Sequence, residues 1–283
     1  MEEDITEISG IQSAIDAGIV MAGPMLPILD EADRVPYAIL PENHILASLE
    51  DYLPAPTRKH AKVSVTSTDS FIAYAKKHGS LDECVIYASI DAEKSACTLQ
   101  AVINDNAADA PKWRDHRCTF APALSVEWKR WTGKDGAKNA MSQADFATWL
   151  EDNQGDVRSV NGSPSGQDIL AMSLAFEANA DKKVKSHINL QNGGVRFEFV
   201  EDETKDTRTS MEVFRRFTLA LPVFDGSTDA YPVEARLKYR DNSGKVTFWY
   251  ELIRPDRAFK TAVNEALNQI KEATGFMLLQ GTP

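Results

Sequence analysis

The chain has 283 residues, of which 43% are hydrophobic and 26% are charged, a balance that excludes an intrinsically disordered protein. No apolar run is long enough to cross a bilayer, and the acidic N-terminus MEEDITEISG lacks the basic start of a secretory signal. Cys84, Cys97 and Cys118 are few and widely spaced, which favours free thiols in a cytoplasmic protein. We expect no membrane partner.

The formal net charge of −11 is concentrated at the N-terminal end. Residues 1–56 hold eleven acids and one base, Arg34, whereas the remainder of the chain is close to neutral. One helical stripe in this region contains Ile5, Ile8, Ile15 and Ile19. We predict that residues 1–56 form an acidic helical arm and linker. The four isoleucines are its candidate oligomerisation residues, because such a stripe packs either on its own core or on a second copy.

Residues 57–155 alternate between strand and helix patterns. Strands are predicted at residues 61–66, 84–90, 96–103 and 117–121. Helices are predicted to begin at Thr68-Asp69, Ser125 and Ser142, because short polar side chains accept hydrogen bonds from free backbone N–H groups. Asp145 follows Ser142 by three residues, as in a capping box.

Residues 156–283 contain mainly strand patterns and end in a helix. Hairpins are predicted at residues 182–200 and 233–252, a further strand at 217–223, and the last helix from Pro255 to Gly275. These elements predict an α+β fold with antiparallel sheets, flanking helices, an N-terminal amphipathic helix and a C-terminal helix, in which both hairpins share one layer. The stretch 155–166 is a candidate boundary, although 57–155 and 156–283 can also form one continuous domain.

The segment 111–134 has three tryptophans and six Lys or Arg residues against two acids. Indoles stack on bases and cations neutralise phosphates, so this composition is typical of a site for single-stranded nucleic acid or another ligand. The candidate binding residues are Trp113, Arg114, Arg117, Trp128, Lys129, Arg130, Trp131 and Lys134. The alternative is core packing, because Trp128 and Trp131 lie three apart on one helical face and aromatic residues are foremost core residues.

Reactive residue types also meet between Trp113 and Cys118. On a strand, however, His116 and Cys118 face one side and Asp115 the other, which favours a structural role over a catalytic triad. No histidine has a metal-ligand spacing, and no phosphate-binding glycine motif is present. We therefore predict no catalytic residues, metal or cofactor.

Several strings resemble the YfdQ-like family of phage and prophage proteins, a domain family of unknown function. They are LPAPTR from Leu53, DSFIAY from Asp69, WRDHR from Trp113, EWKRWTG from Glu127 and WYELIRP from Trp249. The similarity extends over about residues 40–279. It implies a phage or prophage protein in a bacterial host cell, encoded near genes of recombination and DNA metabolism, and it assigns no catalytic residue.

These observations predict a non-enzymatic accessory protein that self-assembles into a homo-oligomer and binds a host or phage protein. A single-stranded-DNA-handling protein of phage recombination or replication is the first alternative. An enzyme of unknown class is the second.

Overall fold

The computed structural model describes residues 54–56, 58–108, 110–160, 162–178, 183–189, 195–202, 205–242 and 245–283. The chain divides into two compact units, Met1–Lys59 and His60–Pro283. The predicted helix with Ile5, Ile8, Ile15 and Ile19 lies outside the described residues and stays a prediction. The second unit has the predicted α+β fold, including the C-terminal helix.

The described part of the chain contains five α-helices: α1 (Thr68–His78), α2 (Val126–Gly133), α3 (Gln143–Asn153), α4 (Gly166–Ala178) and α5 (Pro255–Thr274). Strands in its first part are β1 (Ala61–Val65), β2 (Val85–Asp91), β3 (Ala96–Val102), β4 (His116–Phe120), β5 (Met141–Ser142) and β6 (Val157–Arg158). They are followed by β7 (Lys183–Asn189), β8 (Val195–Asp202), β9 (Lys205–Val213), β10 (Arg216–Leu221), β11 (Tyr231–Asn242), β12 (Lys245–Ile253) and β13 (Met277–Gln280).

The ends of several helices are set by capping residues. Ser125 Oγ accepts a 2.9 Å hydrogen bond from the Trp128 N–H, and Ser142 Oγ accepts one of 3.2 Å from the Asp145 N–H. Ser67, one residue before the predicted start, caps α1. Gly275 ends α5 with φ of 71°, a left-handed conformation that glycine adopts without a steric penalty.

The first sheet has the strand order β1-β4-β3-β2-β13. Its central pairs, β2 with β3 and β3 with β4, are antiparallel, whereas β1 pairs with β4 and β13 with β2 in parallel. A parallel partner must come from a distant part of the chain. The C-terminal strand β13 is therefore an element that the hairpin patterns do not predict.

The second sheet, β5-β12-β11-β10-β6, is antiparallel throughout, and β7-β8-β9 form a third. The expectation that both hairpins share one layer is wrong, because β7 and β8 belong to a separate sheet in which β8 also pairs with β9. The sequence of β9, KDTRTSMEV, has too few apolar residues to show strand alternation.

One face of the second sheet is buried and the other faces solvent. Along β11, Val233, Ala235 and Leu237 are at most 4% exposed, while Arg236 and Lys238 between them are exposed. Helices cover the buried face: the rings of Trp131 and Tyr250 lie 5.0 Å apart, as do those of Phe146 and Phe248. Each large apolar side chain buried there contributes about 1.5–3 kcal/mol to folding.

None of the described helices is both long and apolar enough to cross a membrane.

Candidate nucleic-acid interface

The two tryptophans of α2 belong to the core. Trp128 is 1% exposed and Trp131 is 0% exposed. Their indole N–H groups are satisfied internally, that of Trp131 by Asp156 Oδ2 at 2.7 Å and that of Trp128 by Ser95 Oγ at 3.3 Å. Neither ring can stack on a ligand in this structure, so core packing describes these two positions.

Arg114 and Arg117 support the loop between β3 and β4. Arg114 Nε lies 2.7 Å from Asp105 Oδ1, and Arg117 Nε donates to the Arg114 carbonyl at 2.6 Å. Asp105 is 4% exposed and also accepts a 2.7 Å hydrogen bond from the Tyr87 hydroxyl. Burial alone would raise the pKa of the Asp105 carboxyl, but hydrogen bonds and the Arg114 charge outweigh burial and lower it from 3.8. The positive charge of Arg114 therefore compensates a buried carboxylate.

The remaining candidates of this segment are at the surface. Trp113 is 78% exposed, and Lys129, Arg130 and Lys134 are exposed on α2 and at its end. Arg130 Nη1 donates to Asn153 Oδ1 at 2.5 Å, and Lys134 Nζ lies 5.7 Å from the Trp149 ring centroid. Ligand binding by these four residues stays a prediction.

The buried histidine and cysteine of β4 share the inward face, as strand alternation predicts. His116 is 4% exposed, and its Nε2 lies 2.9 Å from the Tyr74 hydroxyl oxygen. Cys118 is fully buried, and burial raises the pKa of its thiol to about 11. The thiol therefore stays protonated near neutral pH, which is unsuited to a nucleophile.

A different surface combines exposed cations with an indole. We call it the basic face: the outward side of the second sheet with Arg158, Arg216, Arg236, Lys238, Arg240 and Trp249. The five bases are exposed and Trp249 is half-buried. They lie together because alternate residues of β10, β11 and β12 point away from the core.

Strand register determines the pattern of the basic face. Arg216 pairs directly with Arg236, and Lys238 pairs directly with Trp249. Arg236, Lys238 and Arg240 follow one another at every second residue of β11, a repeat of about 6.8 Å. The Arg240 guanidinium lies 5.6 Å from the centroid of the Trp249 ring, a cation–π distance. The result is a row of cations along an indole.

Acidic residues reduce this charge without cancelling it. Among the described outward side chains of the sheet, Glu234 and Glu251 are the acids, against five bases. The Arg216–Glu234 pair spans 3.6 Å with side chains 63% and 55% exposed, so its contribution to stability is about 0–1 kcal/mol. An anionic ligand can therefore displace Glu234 from Arg216 at little cost.

A depression of about 350 Å³ lies at one end of the basic face. Its lining includes Arg215 together with Arg216, Arg236 and Lys238, and Leu237 and Tyr239 complete it. Cations thus surround a concave region as well as a flat one. A phosphate there could contact several of them at once.

The alternation of apolar and polar residues along the strands predicts part of the basic face. Residues 233–239 and 246–252 are both predicted strands, and period two assigns Arg236 and Lys238 to one side of the first. It also places Trp249 opposite the inward Phe248 and Tyr250. The local density of tryptophan and base is highest at 111–134, where Trp128 and Trp131 are buried and Trp113 is exposed.

A family model described as Uncharacterized conserved protein (DUF2303) matches residues 11–283. Among curated proteins, none matches this sequence.

Proposed function

We propose that this chain, which belongs to the family Uncharacterized conserved protein (DUF2303), is a binding protein that holds single-stranded nucleic acid on its basic face. The observation that carries the proposal is the register of β11 and β12, which pairs Lys238 with Trp249 and places Arg236 and Arg240 on the same outward face. The resemblance to phage and prophage proteins encoded near DNA-metabolism genes is consistent with such a ligand.

The chemistry of the face matches a single strand better than a duplex. Cations along β11 attract the phosphate backbone whatever the sequence. An unstacked base can lie against the exposed part of Trp249 or against the planar guanidinium of Arg240 that accompanies it. In a duplex the bases are already stacked on one another and offer no free ring face. We therefore expect binding that depends on salt and little on sequence.

The test compares two double charge reversals that change net charge equally. Arg236→Glu with Lys238→Glu alters the basic face, and Arg130→Glu with Lys129→Glu alters α2. The probe is fluorescein-labelled oligo(dT), titrated by fluorescence anisotropy at several salt concentrations. We expect the basic-face variant to lose about tenfold or more in affinity and its salt dependence to fall by about 0.7 per lost phosphate contact.

The α2 variant controls for the general effect of charge on a chain that is already acidic. It should bind the oligonucleotide within about twofold of the unmodified protein, because α2 lies on the opposite, helix-covered side of the sheet. Equal losses in both variants, or no binding at low salt by the unmodified protein, would reject the proposal. A preference for duplex competitor over single strand would also reject it.

A second proposal concerns assembly. The isoleucine stripe at residues 5–19 and the resemblance to phage proteins support an accessory protein that self-associates and binds a host or phage component. Light scattering on the full chain, with and without Ile8→Asp and Ile15→Asp, tests this idea. A concentration-dependent oligomer that the substitutions dissociate is expected, and a monomer in both cases would contradict it.

A further inference from the structure

An acid-rimmed cleft of about 940 Å³ lies between the first sheet, α5 and the loop that precedes β11. Its size is near the upper end of the range of about 300–1,000 Å³ for ligand pockets. The start of α1 closes one side through Thr66–Asp69. The cleft is thus formed by elements distant in sequence and is separate from the basic face.

The floor of the cleft is apolar. Leu99 and Phe120 come from the first sheet, and Val263 and Leu267 come from α5. These side chains are between 1% and 6% exposed, so they form a wall of the packed core. The apolar surface that remains accessible in the cleft comes from the less buried lining residues Pro122, Phe224 and Ala266. An apolar group placed against them would gain about 25 cal/mol per Å² of apolar area removed from water.

The rim is acidic. Asp69, Asp225, Asp229 and Glu265 all line the cleft and are exposed. No lysine or arginine is among the lining residues, which all belong to the described part of the chain. Tyr231 donates a 2.5 Å hydrogen bond to Glu265 Oε2 and so positions one of the four carboxylates. The field at the cleft mouth is therefore negative, opposite to that of the basic face.

We propose that the acid-rimmed cleft docks a segment of a partner protein in which apolar side chains are flanked by Lys or Arg. The apolar side chains contact Pro122, Phe224 and Ala266, and the cations pair with the carboxylates of the rim. The same rim repels phosphates, so nucleic acid and the basic segment occupy different surfaces. The chain thereby connects two partners of opposite charge.

The probe is a fluorescein-labelled peptide, Lys-Lys-Leu-Lys-Leu-Lys-Lys, titrated with the full chain by fluorescence anisotropy. Asp225→Lys with Asp229→Lys reverses two charges of the rim. Glu151→Lys with Asp152→Lys, both exposed on α3, makes the same change in net charge away from the cleft. We expect the rim variant to bind the peptide about tenfold or more weakly and the α3 variant to bind within about twofold of the original.

Two further peptides separate the floor from the rim. Replacing both leucines by serine should weaken binding about tenfold, and replacing the lysines by glutamate should abolish it. The proposal is overturned if the serine peptide binds equally well, if the α3 variant loses as much affinity as the rim variant, or if the lysine–leucine peptide does not bind.

Discussion

The segment 113–134 and the basic face contain the same types of residue and use them in opposite ways. In α2, Trp128 and Trp131 point into the core and the bases beside them cover its edge. On the second sheet, Trp249 lies on the same side as Arg236, Lys238 and Arg240. An indole and a cation that are adjacent on a helix point to different environments, as Trp128 and Lys129 do, whereas partners across two strands share one.

This difference shows that register matters more than local composition. The helix places residues three and four apart on one stripe, so its tryptophans face the interior together. A strand exposes every second residue, so the cations Arg236, Lys238 and Arg240 form a row although Leu237 and Tyr239 separate them in sequence.

The largest expected effect distinguishes a buried indole from an exposed one. Trp131→Ala should lower the free energy of unfolding by about 3–5 kcal/mol, because it removes a fully buried ring from the core. Trp113→Ala, at a 78% exposed position, should change it by less than about 0.5 kcal/mol. Urea unfolding followed by circular dichroism measures both. Similar losses for the two variants would contradict the assignment of α2 to the core.

The next effect concerns Arg114, which pairs with Asp105. Asp105→Asn removes one partner of a buried ion pair and should lower the free energy of unfolding at pH 7 by about 1–3 kcal/mol. The pKa of Asp105 is lowered in the folded state, so its stabilisation is present above its ordinary pKa and is lost as pH falls through the folded value.

The Asp105→Asn variant should therefore lose less stability on acidification below about pH 4 than the unmodified protein does. Thermal melts at pH 7, 5, 4 and 3 measure this difference. Asp152→Asn, an exposed position on α3, is the matched control and should follow the unmodified protein. Parallel curves for Asp105→Asn and the unmodified protein would mean that the carboxylate does not stabilise the loop between β3 and β4.

An effect of similar size, on binding instead of stability, tests the indole of the basic face. Trp249→Ala should weaken oligo(dT) binding by about 1–3 kcal/mol, because a stacking surface for one base is lost. Its salt dependence should stay unchanged, since no cation is removed. Trp249→Phe, which keeps an aromatic ring, should recover part of the affinity. Anisotropy titrations at two salt concentrations measure both quantities, and unchanged binding by Trp249→Ala would exclude stacking at this position.

Local features of the fold follow from the sequence. Ser125 and Ser142 cap the helices that they are predicted to cap, and Gly275 ends α5. Strands β7 and β8 pair across residues 190–194 as the hairpin pattern predicts. These features depend on a few neighbouring residues, so they can be predicted from the local sequence without the rest of the chain.

The assignment of strands to sheets could not be predicted in the same way. The β1–β4 pair joins residues 61–65 to 116–120 in parallel, and nothing in either strand specifies the other. The acid-rimmed cleft depends on the same long-range arrangement, because Asp69 and Glu265 are brought to one rim by the fold alone. Part of the basic face is different, since alternation within the predicted strands 233–239 and 246–252 places Arg236, Lys238 and Trp249 on the outward sides of those strands.

Photo-crosslinking tests the central claim most directly. An oligo(dT) probe with one 5-iodouracil is irradiated while bound to the full chain, and the crosslinked peptide is identified by mass spectrometry. The basic face predicts crosslinks to the β12 peptide that contains Trp249. Crosslinks confined to the peptide that contains Trp113, with none on β12, would assign binding to the first region and contradict the proposed function.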